Sequence, residues 1–293
     1  MRGNGKGSAI YTVRPDGLGL ALLSPRGSSG SGFEYRNPAW SPDGHRLAFE
    51  RCSLAVNPCG SGYSLWTMRA DGSQLRQIAA CSNTFCPTHP SWLADGKTLV
   101  VESNSALWMI GADGERPRLF LRPPLPAGAS RGGADFPYAS PKTAWVAYRT
   151  FFANASDADN WSIRAVRQDG TGDQAVTTSQ PQAGVRDSQI EDMPSGWSPK
   201  GDLLLDIRDL WVSGTLQWSR LYVVNPSNKG TRLLAKVNVN NASFSSDGRS
   251  IAVTTNSAPH VAVVGVNGGT MRRLTTPPPG TWEWDVAWQP STR

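Results

Sequence analysis

The sequence predicts an all-β fold, a six-bladed β-propeller of four-stranded antiparallel blades. Three observations predict it. A turn signature, PAWSPDG at residues 38–44, returns along the chain in altered form. A bulky apolar residue precedes most copies of the turn, and an Asp-Gly or Asn-Gly pair follows most of them. Such a pair between apolar runs is typical of a β-hairpin, so each copy predicts several strands.

The turn itself has a physical basis. Pro42 sets the φ angle that a type I turn needs, the Ser41 hydroxyl can bond the backbone, and Gly44 tolerates positive φ. The apolar run LAF at residues 47–49 then predicts a strand buried on both faces. We name the four strands of one copy A to D, with the turn between A and B.

Six copies are spaced as propeller blades are. The strand A position is occupied by Trp40, Trp92, Ala139, Trp197, Phe244 and Trp288. Successive positions are 52, 47, 58, 47 and 44 residues apart by subtraction. Blades of four strands repeat at about 40–50 residues, and propellers have roughly 4–8 of them.

We therefore predict one domain over residues 1–293. Its blades 1 to 5 are expected at 34–80, 88–121, 135–178, 192–235 and 240–275, and its closing blade combines 1–23 with 281–293. Residues 1–7 are predicted as a loop, followed by strands C and D, while residues 285–288 supply strand A. Strand B of the closing blade is then unaccounted for, and we expect it directly before Met1.

The pattern PAWSPDG…LAF…LWTMRADG…LRQI resembles the WD40-like repeat of the TolB family. Propeller domains of prolyl-oligopeptidase-type peptidases carry the same repeat. The resemblance covers nearly the whole chain, and it implies a six-bladed propeller of the bacterial cell envelope that binds proteins or ligands without catalysis. It is less informative about function, because many functions use this fold.

Composition narrows the classes of partner. Lys+Arg 29 against Asp+Glu 23 gives a net charge of +6, spread along the chain, which favours a solvated basic surface over a nucleic-acid face. No apolar run reaches the roughly 20 residues of a membrane span. No signal-peptide pattern occurs at the start of this sequence. We expect a monomer that binds another envelope protein or a peptide.

The four cysteines, Cys52, Cys59, Cys81 and Cys86, lie in the first third of the chain. Pairs 52–59 and 81–86 each bracket a short predicted loop, and we favour these two disulfides among the three possible pairings. Disulfides predict an oxidising, extracytoplasmic location, periplasmic or secreted. Two alternatives remain open, namely free thiols and a metal site of Cys81, Cys86 and His89, whose spacing is not a common zinc pattern.

Catalytic motifs are absent from the sequence. It has no Gly-x-Ser-x-Gly elbow, and its three histidines have no recognisable nucleophile partner. Asp157 and Asp159 form only part of a calcium loop. We expect no cofactor and no enzymatic activity. The alternatives are a propeller lyase or glycosyl-active enzyme, or a detached propeller domain of a peptidase.

The candidate binding site follows from the geometry of a propeller. Segments entering the innermost strands converge on the axis, where their polar side chains form the mouth of a central channel. The predicted mouth residues are Arg36, Asn37, His89, Asp135, Asp192, Asn241 and Asp285. Water alone is the competing occupant.

Overall fold

The computed structural model describes residues 1–3, 7–25, 32–54, 59, 62–154, 160–178, 184–185, 188–256 and 258–291. These residues form strands and turns with no helix, so the all-β prediction is confirmed. The described part of the chain accordingly contains no helix that could cross a membrane.

The strands of the middle of the chain form five antiparallel meanders. Meander 1 contains β5 (Phe33–Trp40), β6 (Arg46–Ser53), β7 (Ser64–Arg69) and β8 (Arg76–Ala79). Meander 2 contains β9 (Thr88–Trp92), β10 (Thr98–Ser103), β11 (Ala106–Gly111) and β12 (Arg118–Leu121). Meander 3 contains β13 (Ala129–Ala139), β14 (Trp145–Asn154), β15 (Asn160–Arg167) and β16 (Gln174–Ala175). Meander 4 contains β17 (Ser188–Trp197), β18 (Leu204–Val212), β19 (Thr215–Asn225) and β20 (Gly230–Ala235). Meander 5 contains β21 (Val239–Phe244), β22 (Ser250–Thr255), β23 (Ala258–Gly265) and β24 (Arg272–Arg273).

The two chain ends form what we call the closing region. It contains β1 (Arg2–Gly3), β2 (Ser8–Ala9), β3 (Tyr11–Thr12), β4 (Ala21–Leu22) and β25 (Trp282–Glu283). Strands β2, β1 and β25 form a three-stranded sheet, and β3 and β4 form a two-stranded one. The first and last parts of the chain therefore share a sheet, as predicted.

The prediction of six separate four-stranded sheets is met only in part. Among the described residues, four sheets have four or more strands, because a parallel Trp161↔Glu191 pair joins meanders 3 and 4 into one eight-stranded sheet. Two details of the closing region were also predicted wrongly. Arg2–Gly3, expected as loop, is a strand and occupies part of the place assigned to a strand before Met1. The C-terminal strand is Trp282–Glu283 rather than residues 285–288.

The predicted turn chemistry is present. The Ser41 hydroxyl donates to Asp43 and accepts the Arg46 N–H at 2.9 Å. Ser245 has the same arrangement with Asp247 and Ser250. Both serines are buried, so the turn satisfies polar groups that water does not reach.

Neighbouring meanders pack face to face through apolar clusters. One cluster joins Ala48 and Leu65 of meander 1 to Trp92 and Leu99 of meander 2, and equivalent clusters lie between the following meanders. Another joins Ile10 of the closing region to meander 1. Because each sheet is apolar on both faces, neighbouring copies bury a continuous core.

Repeated contacts also relate one meander to the next. Trp92 Nε1 donates to the Ala39 carbonyl at 3.0 Å, and Trp197 Nε1 donates to the Tyr138 carbonyl at 2.8 Å. At a hairpin turn, Gly72 has a φ of 82° and lies so near the Leu23 carbonyl that no Cβ would fit. Gly17 approaches the Leu274 carbonyl just as closely, and Gly114 and Gly268 face Ile78 and Leu234 at longer distances, whereas the hairpin glycine Gly170 has no such neighbour.

Candidate functional site at the channel mouth

A cavity of about 490 Å³ lies where the first strands of all five meanders meet the closing region. Its apolar lining includes aromatic and aliphatic side chains. Its polar lining consists of Glu34, Arg36, Asn37, His89, Tyr138, Ser195, Asn240, Asn241 and Asp285. We call this space the mouth cavity. A second cavity of about 160 Å³ shares several of the same lining residues.

The lining has a regular origin in the repeat. The residue three positions before each repeated strand A position lines the mouth cavity, and the six such residues are Asn37, His89, Phe136, Pro194, Asn241 and Asp285. Four of them have left-handed backbone conformations, with φ of 50° at Asn37, 50° at His89, 46° at Phe136 and 49° at Asp285. Non-glycine residues seldom adopt this conformation, and it turns their side chains out of the strand pattern toward the cavity.

Glu50 links two of these positions. Its Oε1 accepts the Asn37 Nδ2 hydrogen bond at 2.6 Å and the His89 backbone N–H at 2.6 Å. The carboxylate is 2 % exposed, and burial raises its pKa above the usual value. Asp285 makes a related link, because its Oδ2 accepts the Asn37 backbone N–H at 3.0 Å. These carboxylates therefore hold neighbouring sheets together at the mouth.

His89 presents the only imidazole of the mouth cavity lining. Its ring lies 4.1 Å from the Phe136 ring, and its Nδ1 lies 3.3 Å from Thr88 Oγ1 and 3.8 Å from Glu102 Oε2. Burial acts to lower the pKa of His89, but interaction with Glu102 and other nearby carboxylates outweighs burial and raises it. Glu102 in turn has a lowered pKa, since hydrogen bonds from His89 and Thr88 overcome its own burial.

Arg36 lies at the rim. Its guanidinium donates to Glu34 Oε1 at 2.7 Å and 3.0 Å and stacks 4.6 Å from the Tyr63 ring. Nearly half of the Arg36 side chain is exposed, so the guanidinium remains accessible to a ligand that enters the cavity.

Two predicted mouth residues lie outside the cavity lining, and the first is Asp135. Its two oxygens accept a forked pair of hydrogen bonds from Arg149 at 2.8 Å and 2.6 Å. Arg149 also donates to Glu191 of meander 4 at 2.6 Å and lies over the Phe136 and Trp161 rings. Asp135 is therefore a structural ion-pair partner of Arg149, and Arg149 joins meanders 3 and 4 through Glu191.

Asp192 is the second predicted mouth residue that lies outside the cavity lining. It is 1 % exposed, and its Oδ1 accepts the Arg208 Nε hydrogen bond at 2.5 Å. Arg208 also donates to Asp206, which is fully buried, and lies over the Tyr222 ring. Burial raises the pKa of both aspartates, and repulsion between them raises that of Asp206 further.

Sequence reasoning also missed residues that the structure brings to the site. Phe136 and Pro194 line the cavity, but the nearby polar residues Asp135 and Asp192 were chosen instead. Counting back three residues from Ala139 and Trp197 identifies both. Glu50 and Glu102 each lie ten residues after a repeated tryptophan, another spacing that the sequence contains.

The cysteines form the two predicted disulfides. Cys52–Cys59 and Cys81–Cys86 have Cα–Cα separations of 5.3 Å and 4.1 Å, and the described residues contain no free cysteine. The alternative metal site of Cys81, Cys86 and His89 is therefore wrong, since disulfide sulfurs are not thiolate ligands. The same reasoning excludes the described group of Glu34, Cys52 and Cys59 as a metal site. Asp157 and Asp159 lie outside the described residues.

Comparison with known proteins places the chain among the propellers. No family model matches the sequence, and no curated protein matches it. A structure described as a TolB from Agrobacterium tumefaciens is 18 % identical with a TM-score of 0.52, over 70 % of this chain and 66 % of that one. The chain thus spans just under two thirds of that TolB chain.

Other solved structures share the arrangement. A nidogen/laminin complex has a TM-score of 0.57 at 11 % identity, over 84 % of this chain and 80 % of that one. An oligogalacturonate lyase from Vibrio parahaemolyticus has a TM-score of 0.55 at 11 % identity, over 92 % and 86 %. The fold is a TolB-like β-propeller. At these identities the likeness concerns the fold alone.

Proposed function

We propose that this chain is a non-catalytic TolB-like propeller that serves as a protein- or ligand-binding scaffold in the bacterial cell envelope. In this proposal the propeller has six blades, with meanders 1 to 5 as five of them and the closing region as the sixth. Its ligand is a peptide segment or small polar molecule held in the mouth cavity. An extracytoplasmic location is supported by the two disulfides and by the TolB-like fold.

One observation carries the proposal. The carboxylates at the mouth cavity already accept hydrogen bonds from other residues of the protein. Of the carboxylates that line the cavity, Glu34 accepts from Arg36 and Asp285 accepts from Asn37. Glu50, buried behind the lining, accepts from Asn37 and His89. A general acid or base must be within reach of a proton on its substrate, whereas these groups fix the shape of the cavity. Tyr138 is also a poor base, because burial raises its pKa to about 12. The cavity therefore suits binding better than proton transfer.

A second candidate, a propeller lyase, is favoured by one feature of the site. His89 lies close to Glu102 and its pKa is raised, a pairing that can transfer protons. An oligogalacturonate lyase is among the proteins of similar fold. Under this alternative His89 acts on a substrate held in the mouth cavity.

The two functions are distinguished by one pair of substitutions. His89→Ala and Asn241→Ala remove side chains from the cavity and leave the Glu50 bond to the His89 N–H in place. We expect the native chain to retain a defined envelope protein or peptide from an extract, and the double variant to lose it while still unfolding in one cooperative transition. Gln217→Ala, at an exposed site, is the matched control. Equal retention by native and double variant, or turnover of oligogalacturonate that His89→Ala abolishes, would contradict the scaffold proposal.

A further inference from the structure

Asp285 is a carboxylate of the mouth cavity that has no cationic side chain as a partner among the described residues. It lines the cavity, and its Oδ2 accepts the uncharged Asn37 backbone N–H at 3.0 Å. No ion pair between described side chains includes it. The Met1 amine donates to the Asp285 backbone carbonyl at 3.5 Å, and burial lowers the pKa of this amine, which weakens it as a cation. The Asp285 carboxylate can therefore pair with a cation that enters the cavity.

The two basic side chains of the lining each have a carboxylate of their own. The Arg36 guanidinium donates to Glu34 Oε1 at 2.7 Å and 3.0 Å, and His89 Nδ1 lies 3.8 Å from Glu102 Oε2. An anionic ligand would have to compete with Glu34 or Glu102 for these groups. A cationic ligand would meet Asp285 without such competition.

The charge of Asp285 acts on two neighbouring groups. Burial raises the pKa of Glu50, and the negative charge of Asp285 acts in the same direction. The same two causes raise the pKa of Tyr138 to about 12. A bound cation would offset this negative charge, so the electrostatics on this side of the cavity favour a positively charged ligand.

The uncharged part of the lining suits an organic cation. Asn241 Oδ1 is buried and has no hydrogen-bond donor in the described part of the chain, so it can accept an N–H from a ligand. Tyr138 and Trp284 also line the cavity, and their rings make no stacking or cation contact with another described side chain. Aromatic faces of this kind attract ammonium and guanidinium groups.

We propose that the mouth cavity binds an organic cation that carries a primary ammonium or guanidinium group. The cation pairs with Asp285, donates to Asn241 Oδ1 and lies against the Tyr138 or Trp284 ring. This inference rests on the proposed binding function and names the chemistry of its ligand. The cavity volume of about 490 Å³ is within the roughly 300–1,000 Å³ of ligand pockets, which is enough for a long basic side chain. Two sources share this chemistry, a lysine or arginine of a peptide and a free amine.

The test titrates the full chain with three capped tripeptides and one diamine in a calorimeter. The tripeptides are acetyl-Gly-X-Gly-amide with lysine, its uncharged counterpart norleucine, or glutamate at X, and the diamine is putrescine. We expect the lysine peptide to bind about 10-fold more tightly than the norleucine and glutamate peptides. Tighter binding of the lysine peptide than of putrescine would support a peptide as the source of the cation, and the reverse order would support a free amine.

Three variants locate the cation in the cavity. Asp285→Asn removes the charge and keeps an oxygen that can accept the Asn37 N–H, and we expect about 10-fold weaker binding of the lysine peptide. Trp284→Leu keeps an apolar side chain without an aromatic face, and we expect about 3-fold weaker binding. Glu115→Gln removes a charge of the same sign at an exposed site outside the cavity lining and should have no effect.

Several outcomes overturn the inference. These are absence of binding by both the lysine peptide and putrescine, tighter binding of the glutamate peptide, and an unchanged affinity of the cationic probes for Asp285→Asn. If Asp285→Asn fails to fold, the comparison of charged and uncharged peptides on the native chain still decides. The proposed binding function survives these outcomes if the native chain retains a partner that the His89→Ala/Asn241→Ala variant loses. Failure of that experiment as well would overturn both proposals.

Discussion

The Oε1 atom of Glu50 lies 2.6 Å from the backbone nitrogen of His89, so the second strand of meander 1 holds the first strand of meander 2. The same atom accepts the Asn37 side-chain amide. Burial raises the pKa of Glu50, and its carboxyl group serves as a hydrogen-bond acceptor between two meanders, which leads to the first prediction.

Replacing Glu50 should distinguish its charge from its acceptor role. Glu50→Ala leaves the His89 N–H and the Asn37 amide without their acceptor, and we expect a loss of about 2–4 kcal/mol in the free energy of unfolding. Glu50→Gln keeps Oε1 as an acceptor, and we expect a change within about 1 kcal/mol. Urea unfolding measures both, with Glu115→Ala at an exposed site as control. Equal losses for Ala and Gln would show that the charge, not the acceptor, matters.

The indole hydrogen bonds between meanders give a second prediction. Trp197→Phe removes the bond to the Tyr138 carbonyl and leaves a small cavity, and we expect a loss of about 1–3 kcal/mol. Trp282→Phe changes an exposed indole and should alter stability by no more than about 0.5 kcal/mol. Thermal and urea unfolding measure both variants. Equal stability of the two would contradict the stabilising role given to the Trp197 indole.

Asp209 predicts a pH dependence of stability. Burial raises the pKa of Asp209 to about 6 from 3.8, so the folded protein binds more protons than the unfolded chain between these values. The contribution of Asp209 to stability is fully present below pH 3.8 and is lost as the pH rises through about 6. Asp209→Asn should therefore raise the melting temperature above that of the native protein at pH 7.5, and should raise it less at pH 4. The effect has an upper limit of about 3 kcal/mol, and a uniform shift at both pH values would contradict it.

The disulfides predict a measurable and additive stabilisation. Each closes a short loop, with sequence separations of 7 for Cys52–Cys59 and 5 for Cys81–Cys86. Loop-closure entropy for such lengths gives about 2 kcal/mol each. We expect this loss from the Cys52→Ser/Cys59→Ser double variant, with the mouth cavity unaffected. Mass spectrometry without reduction checks the pairing, and a 52–81 linkage would refute it.

Local patterns explain most of what the sequence predicts correctly. Ser41 and its turn act within five residues, and Cys52–Cys59 spans seven, so short-range spacing is enough to identify them. The strand A repeat likewise identifies the sheets. Strands of two residues, such as Arg2–Gly3, have no periodicity to detect, which is why the closing region was predicted incorrectly.

The long-range polar contacts at the site could not be predicted from the sequence, for a different reason. Arg149 and Glu191 are 42 residues apart and belong to different meanders, so no local pattern relates them. Choosing polar residues near the mouth led to Asp135 and Asp192, which are committed to Arg149 and Arg208. The repeat position identifies one lining residue from each of the six copies, whereas polarity alone does not.

The left-handed residues at the mouth have a consequence for how such a protein can diversify. Asn37, His89, Phe136 and Asp285 differ in size, charge and hydrogen-bonding ability, yet each has a φ close to 50°. The backbone therefore sets the direction of the side chain independently of its identity, at an expense of about 1–3 kcal/mol for each such conformation. New recognition properties can then arise by exchanging one side chain at a time, without any need to rebuild the surrounding scaffold.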